Sequence, residues 1–281
     1  MSGWNVVDES DVLRLMRQGS AVRLELCRPE SLNAFDDRLA VELRDALVRL
    51  GGDDSVRCLV LTGSGRAFSA GADIKRPERD AEPDRGERTR RVLREVFNPA
   101  ILAIREMPKP VIAAVNGPAV GVGCSVAMAC DLVLAAESAY FLLAFANIGL
   151  AGDGGATITI PARVGFGRAG VLALLAERLP APEALDWGLI DRVVPDEELE
   201  AATTGLALKL AGGATRAYAA TKRALNASCL PGLADQLELE AELQGDLAVS
   251  RDHEEGVAAF REKRQPEFRG FEEPQPASAG S

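Results

Sequence analysis

The chain has 281 residues, of which 47% are hydrophobic and 26% are charged, a balance typical of a globular protein with a substantial core. Its formal net charge of −10 argues against a general nucleic-acid-binding protein, because such proteins usually present a basic face. No run reaches the roughly 18 uninterrupted apolar residues of a membrane span, and the first residues lack the pattern of a secretory signal. We therefore predict neither a membrane span nor a secretory signal. The five cysteines are scattered without a CxxC pair, which favours free thiols and a cytoplasmic location.

Strand and helix patterns alternate in the first part of the chain. Residues 21–27 alternate like a half-buried strand, and the helix pattern that follows runs to about Leu50. The apolar runs 56–62 and 108–115 predict strands that are covered on both faces. Residues 76–91 are charged and broken by prolines, which predicts an exposed, mobile loop.

After Asp196 the strand patterns end and only helix patterns follow. They lie at 196–211, 214–229, 232–250 and 252–264. We therefore predict an α/β core over residues 1–200, a helical region over 201–268 and a disordered tail over 269–281.

His253 is the single histidine of the chain and lies in the acidic stretch RDHEEG. A Ser-His-Asp triad or a multi-histidine zinc site would depend on this one residue. Its neighbours are typical of an exposed helix start, so we predict a surface or capping role and no metal site. Any catalysis is then expected to rest on carboxylates and backbone groups.

Five motifs, taken together and in order, resemble the crotonase, or enoyl-CoA hydratase/isomerase, superfamily. They are RPESLNAF (28–35), TGSGRAFSAGADI (62–74), AAVNGPAVGVGCSVAMACD (113–131), IGLAGDGGAT (148–157) and EGVAAFREKRQPEF (255–268). The resemblance implies a spiral of repeated β-β-α units and a C-terminal helical segment that builds a homotrimer or a dimer of trimers. It also implies acyl-CoA thioester substrates, with coenzyme A as part of the substrate and no separate cofactor.

The resemblance implies an oxyanion hole made of the backbone N–H groups of Ala72 and Val122. Such donors stabilise an enolate-like thioester oxygen most when they are aimed in advance at the developing charge. Gly71 and Gly121 would allow the thioester to approach the main chain; the alternative interpretation, for each glycine alone, is a tight turn with no other role. Position 122 is often glycine in hydratases, so the valine is expected to narrow the pocket or restrict the backbone.

The same resemblance places coenzyme A. The carbonyl of Ala70 would meet the adenine amino group, and Arg28 and Lys75 are candidates for phosphate contacts. The predicted substrate- and CoA-binding set is Arg28, Ala70, Gly71, Asp73, Ile74, Lys75, Gly121 and Phe145. For Asp73 we favour local hydrogen bonding to the backbone. Lys222 and Phe260 could reach a neighbouring subunit's site, with ordinary surface and core roles left equally open.

The reaction depends on the acid and base groups near this hole. Where typical hydratases carry two glutamates, this chain has Ser125 and Phe145. Asp153 instead matches the catalytic aspartate of several family isomerases, and its apolar surroundings are expected to raise its pKa. We predict a double-bond isomerase with Asp153 as proton shuttle. The alternatives are capping alone for Asp153, a hydratase with atypical acid and base groups, or a non-catalytic acyl-CoA-binding protein.

Overall fold

The computed structural model describes residues 3–75 and 84–270. Its strands are β1 (Asn5–Glu9), β2 (Leu13–Gln18), β3 (Ala21–Leu26), β4 (Cys58–Gly63), β5 (Val111–Val115), β6 (Ala119–Val120), β7 (Leu132–Ala136), β8 (Tyr140–Leu142), β9 (Leu179–Pro180) and β10 (Arg192–Val194). Its α-helices are α1 (Asp37–Gly51), α2 (Arg85–Val92), α3 (Asn98–Glu106), α4 (Val122–Ala129), α5 (Ala156–Leu175), α6 (Ala181–Asp186), α7 (Leu199–Ala211), α8 (Thr215–Cys229), α9 (Leu233–Leu247) and α10 (Arg251–Glu262). The predicted mixture of α and β structure is confirmed.

The larger sheet has the strand order β1-β2-β3-β4-β5-β7-β10. Neighbours are antiparallel from β1 to β3 and parallel from β3 to β10. All residues of β4 and β5 are buried, as their continuous apolar runs predict for strands covered on both faces. A smaller sheet has the order β6-β8-β9. The segments after β4 and β5 therefore emerge side by side, which brings together the first two glycine-rich turns, residues 68–74 and 116–123; the third glycine-rich turn is residues 147–157.

Strand β1, which is not among the predicted strands, pairs with β2 at the edge of the larger sheet. One prediction about local structure is wrong. Residues 85–91, expected to be a loop, belong to α2, where the Asp84 side chain accepts a hydrogen bond from the N–H of Glu87. The rest of that loop, 76–83, lies outside the described residues, as do residues 271–281 of the expected tail.

Helix α5 is long and apolar enough to meet the length and hydropathy of a membrane span, with a mean hydropathy of 1.4 and 22% of that stretch buried. However, Gly165 has φ 78° and ψ 166°, which are not helical angles, and Pro161 lies inside the same helix. The break divides α5 into two shorter pieces, whereas a span needs about 20 continuous helical residues. The break does not fit a continuous membrane-spanning helix.

Candidate active site

The first two glycine-rich turns touch at Gly71 and Gly121. Their φ angles are +85° and +53°, which residues with a Cβ rarely adopt. A Cβ on Gly71 would lie 2.8 Å from the carbonyl oxygen of Val120 and 3.6 Å from the Cα of Gly121. Glycine is required here by the close approach of two main chains as well as by the turns themselves.

Ala72 is exposed and lines a cavity beside these turns. On either side of it, the N–H of Phe35 donates to the carbonyl oxygen of Gly71 at 2.7 Å, and the N–H of Asp73 donates to the carbonyl oxygen of Phe35 at 3.0 Å. In a parallel bridge of this kind, the residue between the bonded groups directs its own N–H away from the partner. The Ala72 N–H therefore points away from Phe35, as an oxyanion donor in this position requires.

Val122 is the first residue of α4 and follows Gly121 directly. N–H groups in the first turn of a helix have no partner within the helix, and the helix dipole favours an anion there. The branched side chain of Val122 is buried, and its Cγ2 lies 3.5 Å from the position of a Cβ on Gly154. The valine thus packs against the third glycine-rich turn, while its N–H is placed beside the Gly71 turn. The joint oxyanion role of Ala72 and Val122 stays a prediction.

Asp153 lies in the third turn and lines the same cavity. The amides at the start of α5 do not need its carboxylate, because the N–H groups of Gly155 and Thr157 donate to Glu240 of α9 at 2.7 and 3.0 Å. Glu240 therefore fills the capping role that the sequence left open for Asp153. The carboxylate of Asp153 is therefore not used to cap α5.

The surroundings of Asp153 favour its protonated form. Its Oδ2 accepts a hydrogen bond from Nε2 of Gln244 at 2.9 Å, whereas Oδ1 is buried and has no hydrogen-bond partner among residues 3–75 and 84–270. Burial raises the pKa of Asp153 to about 8, the negative charge of Glu240 adds to this rise, and the Gln244 hydrogen bond opposes it. The pKa rise expected from apolar surroundings is confirmed in direction.

Ser125 and Phe145, at the two positions where hydratases carry glutamates, have packing and support roles. Ser125 is fully buried and its Oγ donates to the backbone carbonyl oxygen of Asp153 at 2.7 Å. Phe145 is largely buried, and its Cζ lies 4.0 Å from the position of a Cβ on Gly121. Both residues thus hold the turns in place, and neither brings an acid to the cavity.

The cavity has a volume of about 380 Å³, which lies within the usual range for small-ligand sites. Its apolar wall is formed by Ile74, Val92, Leu93, Phe97, Leu150 and Val257. Three arginines also line it, namely Arg85, Arg88 and Arg261. Two of these arginines are paired with acids that also line the cavity, Arg85 with Glu254 and Arg88 with Asp37. The size of the chamber and its apolar wall suit an acyl group.

His253 lies partly exposed in the first turn of α10, at the helix start that the sequence predicts, and it also lines this cavity. Its backbone N–H is capped by the Ser250 side chain at 3.1 Å, and its ring Nδ1 lies 2.8 Å from the carbonyl oxygen of Ile148. Because a carbonyl oxygen only accepts, Nδ1 carries the proton in this contact. The histidine thereby ties α10 to the start of the third turn.

Arg28 is directed inward, which contradicts its predicted phosphate contact. It is 8% exposed, and its Nη2 lies 3.2 Å from Oδ2 of Asp73 and 3.4 Å from Oδ2 of Asp36. It also donates to the carbonyl oxygen of Ala34. The other oxygen of Asp73 accepts from the N–H of Lys75 at 3.3 Å, the local bond to the backbone that the sequence favours. Arg28 and Asp73 therefore brace the first turn.

The remaining CoA-binding predictions are compatible with their positions. Lys75 is exposed and Ile74 lines the cavity, where the Ile74 carbonyl oxygen accepts from Nη2 of Arg261 at 2.9 Å. The N–H of Ala70 donates to the carbonyl oxygen of Leu32 at 2.9 Å, which fixes the turn that carries the Ala70 carbonyl. These roles stay predictions.

Lys222 does not reach outward to another subunit's site. It is 8% exposed, and its Nζ donates to Oδ2 of Asp131 and to the carbonyl oxygen of Ile104, each at 2.7 Å. A buried ion pair of this kind has a structural role, because removing one partner would leave the other charge uncompensated. Phe260 is 49% exposed on α10, so a contact from its ring stays a prediction.

Three cysteines and the metal-ligating side chains are further possible site groups. Residues 3–75 and 84–270 hold no group of three or more His, Cys, Asp or Glu side chains that could bind a metal ion. Burial raises the pKa of Cys58, Cys124 and Cys130 to about 12, so these thiols are unreactive packing groups.

Sequence reasoning missed Gln244 and Glu240. In α9 the regular leucine spacing marks Leu239 and Leu243, yet these are 48% and 44% exposed, while Glu240 and Gln244 are each 1% exposed. A glutamate and a glutamine four residues apart look like a solvated helix face in a single sequence. Only the packing of α9 against the third turn reveals them.

Known proteins share both the sequence and the fold of this chain. The family model described as enoyl-CoA hydratase/isomerase matches residues 16–271. A Rhodobacter capsulatus protein named a probable enoyl-CoA hydratase is 46% identical over 253 residues, which cover 90% of this chain and 95% of that protein. The 1,2-epoxyphenylacetyl-CoA isomerase of Escherichia coli is 42% identical over 250 residues, which cover 88% of this chain and 94% of that enzyme.

A solved structure agrees with these sequence matches. The crystal structure of an enoyl-CoA hydratase from Mycobacterium avium subsp. paratuberculosis has a TM-score of 0.84 and 39% identity, covering 93% of this chain and all of that one. The crotonase-like α/β fold implied by the motifs is confirmed. This chain belongs to the enoyl-CoA hydratase/isomerase family.

Proposed function

We propose that this protein is an isomerase of enoyl-CoA thioesters in which Asp153 carries a proton between two carbons of the acyl group. The observation that carries the proposal is the buried Asp153 carboxylate, which lines the same cavity as Ala72 and has a pKa of about 8. A group that must both accept and return a proton works best when its pKa lies near the working pH.

In the proposed reaction, the thioester oxygen accepts hydrogen bonds from the N–H groups of Ala72 and Val122. The ionised carboxylate of Asp153 takes the proton from the α-carbon of a β,γ-enoyl group. The electrons of that C–H bond form a dienolate, whose negative charge rests on the thioester oxygen. Asp153 then returns the proton to the γ-carbon, which leaves the double bond between the α- and β-carbons.

The residues at the two positions where hydratases carry glutamates favour isomerisation over hydration. Asp37, His253 and Glu254 also line the cavity and are the groups that a hydratase with atypical acid and base groups would use. Hydration needs one group to activate water and one to protonate the α-carbon, and Ser125 and Phe145 stand where hydratases place glutamates for these tasks. The name of the Escherichia coli relative, an isomerase of an acyl-CoA, supports the same choice. The name of the Rhodobacter capsulatus relative supports the alternative of a hydratase with atypical acid and base groups.

A screen of enoyl-, dienoyl- and aryl-CoA esters in deuterated water tests the proposal. We expect the double bond to move without addition of water. Deuterium enters the α- and γ-carbons in those turnovers in which the proton on Asp153 exchanges with solvent before it is returned. Hydration at a comparable rate would identify a hydratase and contradict the proposal. Binding of the esters with neither reaction would identify a non-catalytic acyl-CoA-binding protein.

We also infer that the protein works as a homotrimer or a dimer of trimers. Helix α5 exposes large apolar side chains, among them Phe166 at 91% and Leu174 at 79%, and faces of this kind usually pack against another subunit. Light scattering at micromolar concentration should give three or six times the chain mass of 29.8 kDa. Phe166→Asp is expected to reduce that mass, and a monomeric wild type would refute the inference.

A further inference from the structure

Helix α9 presents two buried polar side chains to the turn that carries Asp153. Glu240 and Gln244 are four residues apart and so share one helix face, and each is 1% exposed. Burying such groups costs free energy unless they are hydrogen-bonded. Their partners all lie in the segment 151–157, which contains Asp153.

Gln244 sets the orientation of the Asp153 carboxylate. Its Nε2 donates to the carbonyl oxygen of Ala151 at 2.6 Å and to Oδ2 of Asp153 at 2.9 Å, so both amide hydrogens are used. Its Oε1 is buried and has no hydrogen-bond partner among the described residues. Both partners of Nε2 accept, which fixes the amide with its nitrogen toward the turn. Since Gln244 donates to Oδ2 of Asp153, the carboxylate oxygen of Asp153 that has no partner among the described residues is Oδ1.

Glu240 holds the other end of the same turn. Its two oxygens accept from the N–H of Gly155 at 2.7 Å, the N–H of Thr157 at 3.0 Å and the hydroxyl of Thr157 at 2.5 Å. Burial raises the pKa of Glu240, while these three donors favour its ionised form. An ionised Glu240 disfavours a second negative charge on Asp153 nearby.

We propose that Gln244 and Glu240 are positioning residues for the Asp153 proton shuttle, an inference that rests on the proposed function. Gln244 determines which carboxylate oxygen exchanges the proton with the acyl group. Glu240 fixes the turn and favours the protonated acid. The two residues thus act on the same carboxyl group with opposite electrostatic effects.

Other charged or titratable groups also face the cavity that contains Asp153. They are Asp37 of α1, Arg85 and Arg88 of α2, and His253, Glu254 and Arg261 of α10. All of them stay unchanged in the variants of α9, so a difference between those variants reports on α9 itself.

The test is the pH dependence of α-proton exchange in two variants. Gln244→Met removes the hydrogen bond that favours the ionised carboxylate, so the rise of kcat with pH should move about one pH unit upward. Glu240→Gln removes the neighbouring negative charge, so the rise should move downward by a similar amount. We expect kcat to fall about tenfold or more in Gln244→Met with little change in KM.

Two matched controls come from the same helix. Glu238→Gln removes a glutamate that pairs with Arg94 on the surface, and Glu242→Gln removes one that pairs with Arg90 and Arg94. Neither residue contacts Asp153, and we expect both variants to keep the wild-type pH midpoint. Shifts of one sign in all four variants would indicate general loosening of the turn and overturn the inference.

Failure of this inference is distinguishable from failure of the proposed function. If Asp153→Asn is inactive while Gln244→Met and Glu240→Gln keep the wild-type midpoint, only the positioning roles are wrong. If Asp153→Asn is fully active, the proposed function itself is wrong. Should Gln244→Met fail to fold by thermal melting, Gln244→Glu keeps the size of the side chain, and its midpoint should also move upward.

Discussion

Asp153→Asn is expected to abolish α-proton exchange and isomerisation, lowering kcat by a factor of about 10² to 10⁴. An amide cannot take a proton from the α-carbon and return it to the γ-carbon. Binding of the CoA ester should persist, because the predicted oxyanion donors are the backbone N–H groups of Ala72 and Val122. The measurement is kcat and deuterium incorporation for the best substrate of the ester screen.

The loss should be chemical, because the fold has little reason to change. With a pKa of about 8, the Asp153 carboxyl is mostly protonated at pH 7, and asparagine resembles that neutral form in shape. The amide oxygen can still accept the hydrogen bond from Gln244. The melting temperature is therefore expected to stay close to wild type, and Asp45→Asn on the exposed face of α1 provides a control with full activity.

The wild-type enzyme should show the matching pH dependence. The first step requires an ionised base, so kcat should rise with pH through about 8 and level off above it. This rise should be missing from any residual activity of Asp153→Asn. Full activity in the variant, or a wild-type rate that falls as pH increases through 8, would contradict the shuttle.

Gly71→Ala is expected to lower kcat by a factor of about 10² to 10³, the usual effect of losing an oxyanion donor. The new Cβ would meet the carbonyl oxygen of Val120 at 2.8 Å, so the second turn must move. That movement displaces the Val122 N–H relative to the Ala72 N–H, and the positive φ of residue 71 adds roughly 1–2 kcal/mol of strain. Kinetics and chemical denaturation measure the two effects separately.

Gly19→Ala is the matched control for this substitution. Gly19 also has a positive φ, +60°, but nothing lies within 4 Å of its Cβ position. It should lose a similar amount of backbone stability, again roughly 1–2 kcal/mol, and retain full kcat. If Gly71→Ala keeps the wild-type kcat, contact between the two turns is not needed for the oxyanion site.

The sequence predicts the parts of this site that depend on local backbone conformation. Glycines at positions 71 and 121 signal unusual turns after buried strands, and both turns occur where expected. Asp153 is also identified correctly as a carboxyl group in an environment that raises its pKa, because its apolar neighbours are close in sequence. Its function as a shuttle remains to be tested.

The parts that depend on distant packing could not be predicted in the same way. The family resemblance makes Arg28 a candidate for phosphate contacts and Lys222 a candidate for a neighbouring subunit's site, but Asp73 and Asp131 neutralise these cations inside the protein. Gln244 follows Asp153 by 91 residues, and nothing in the α9 sequence indicates which of its faces is buried. Partner choice across such separations is decided by the tertiary fold.

The capping of α5 by Glu240 has a consequence for the order in which the site can form during protein synthesis. A nascent chain that ends before α9 already contains the three glycine-rich turns, yet it lacks the acceptor for the amides of Gly155 and Thr157. It also lacks the wall contributed by α9 and α10. More than 240 residues must therefore be synthesised before Asp153, the acid that we assign to proton transfer, is enclosed.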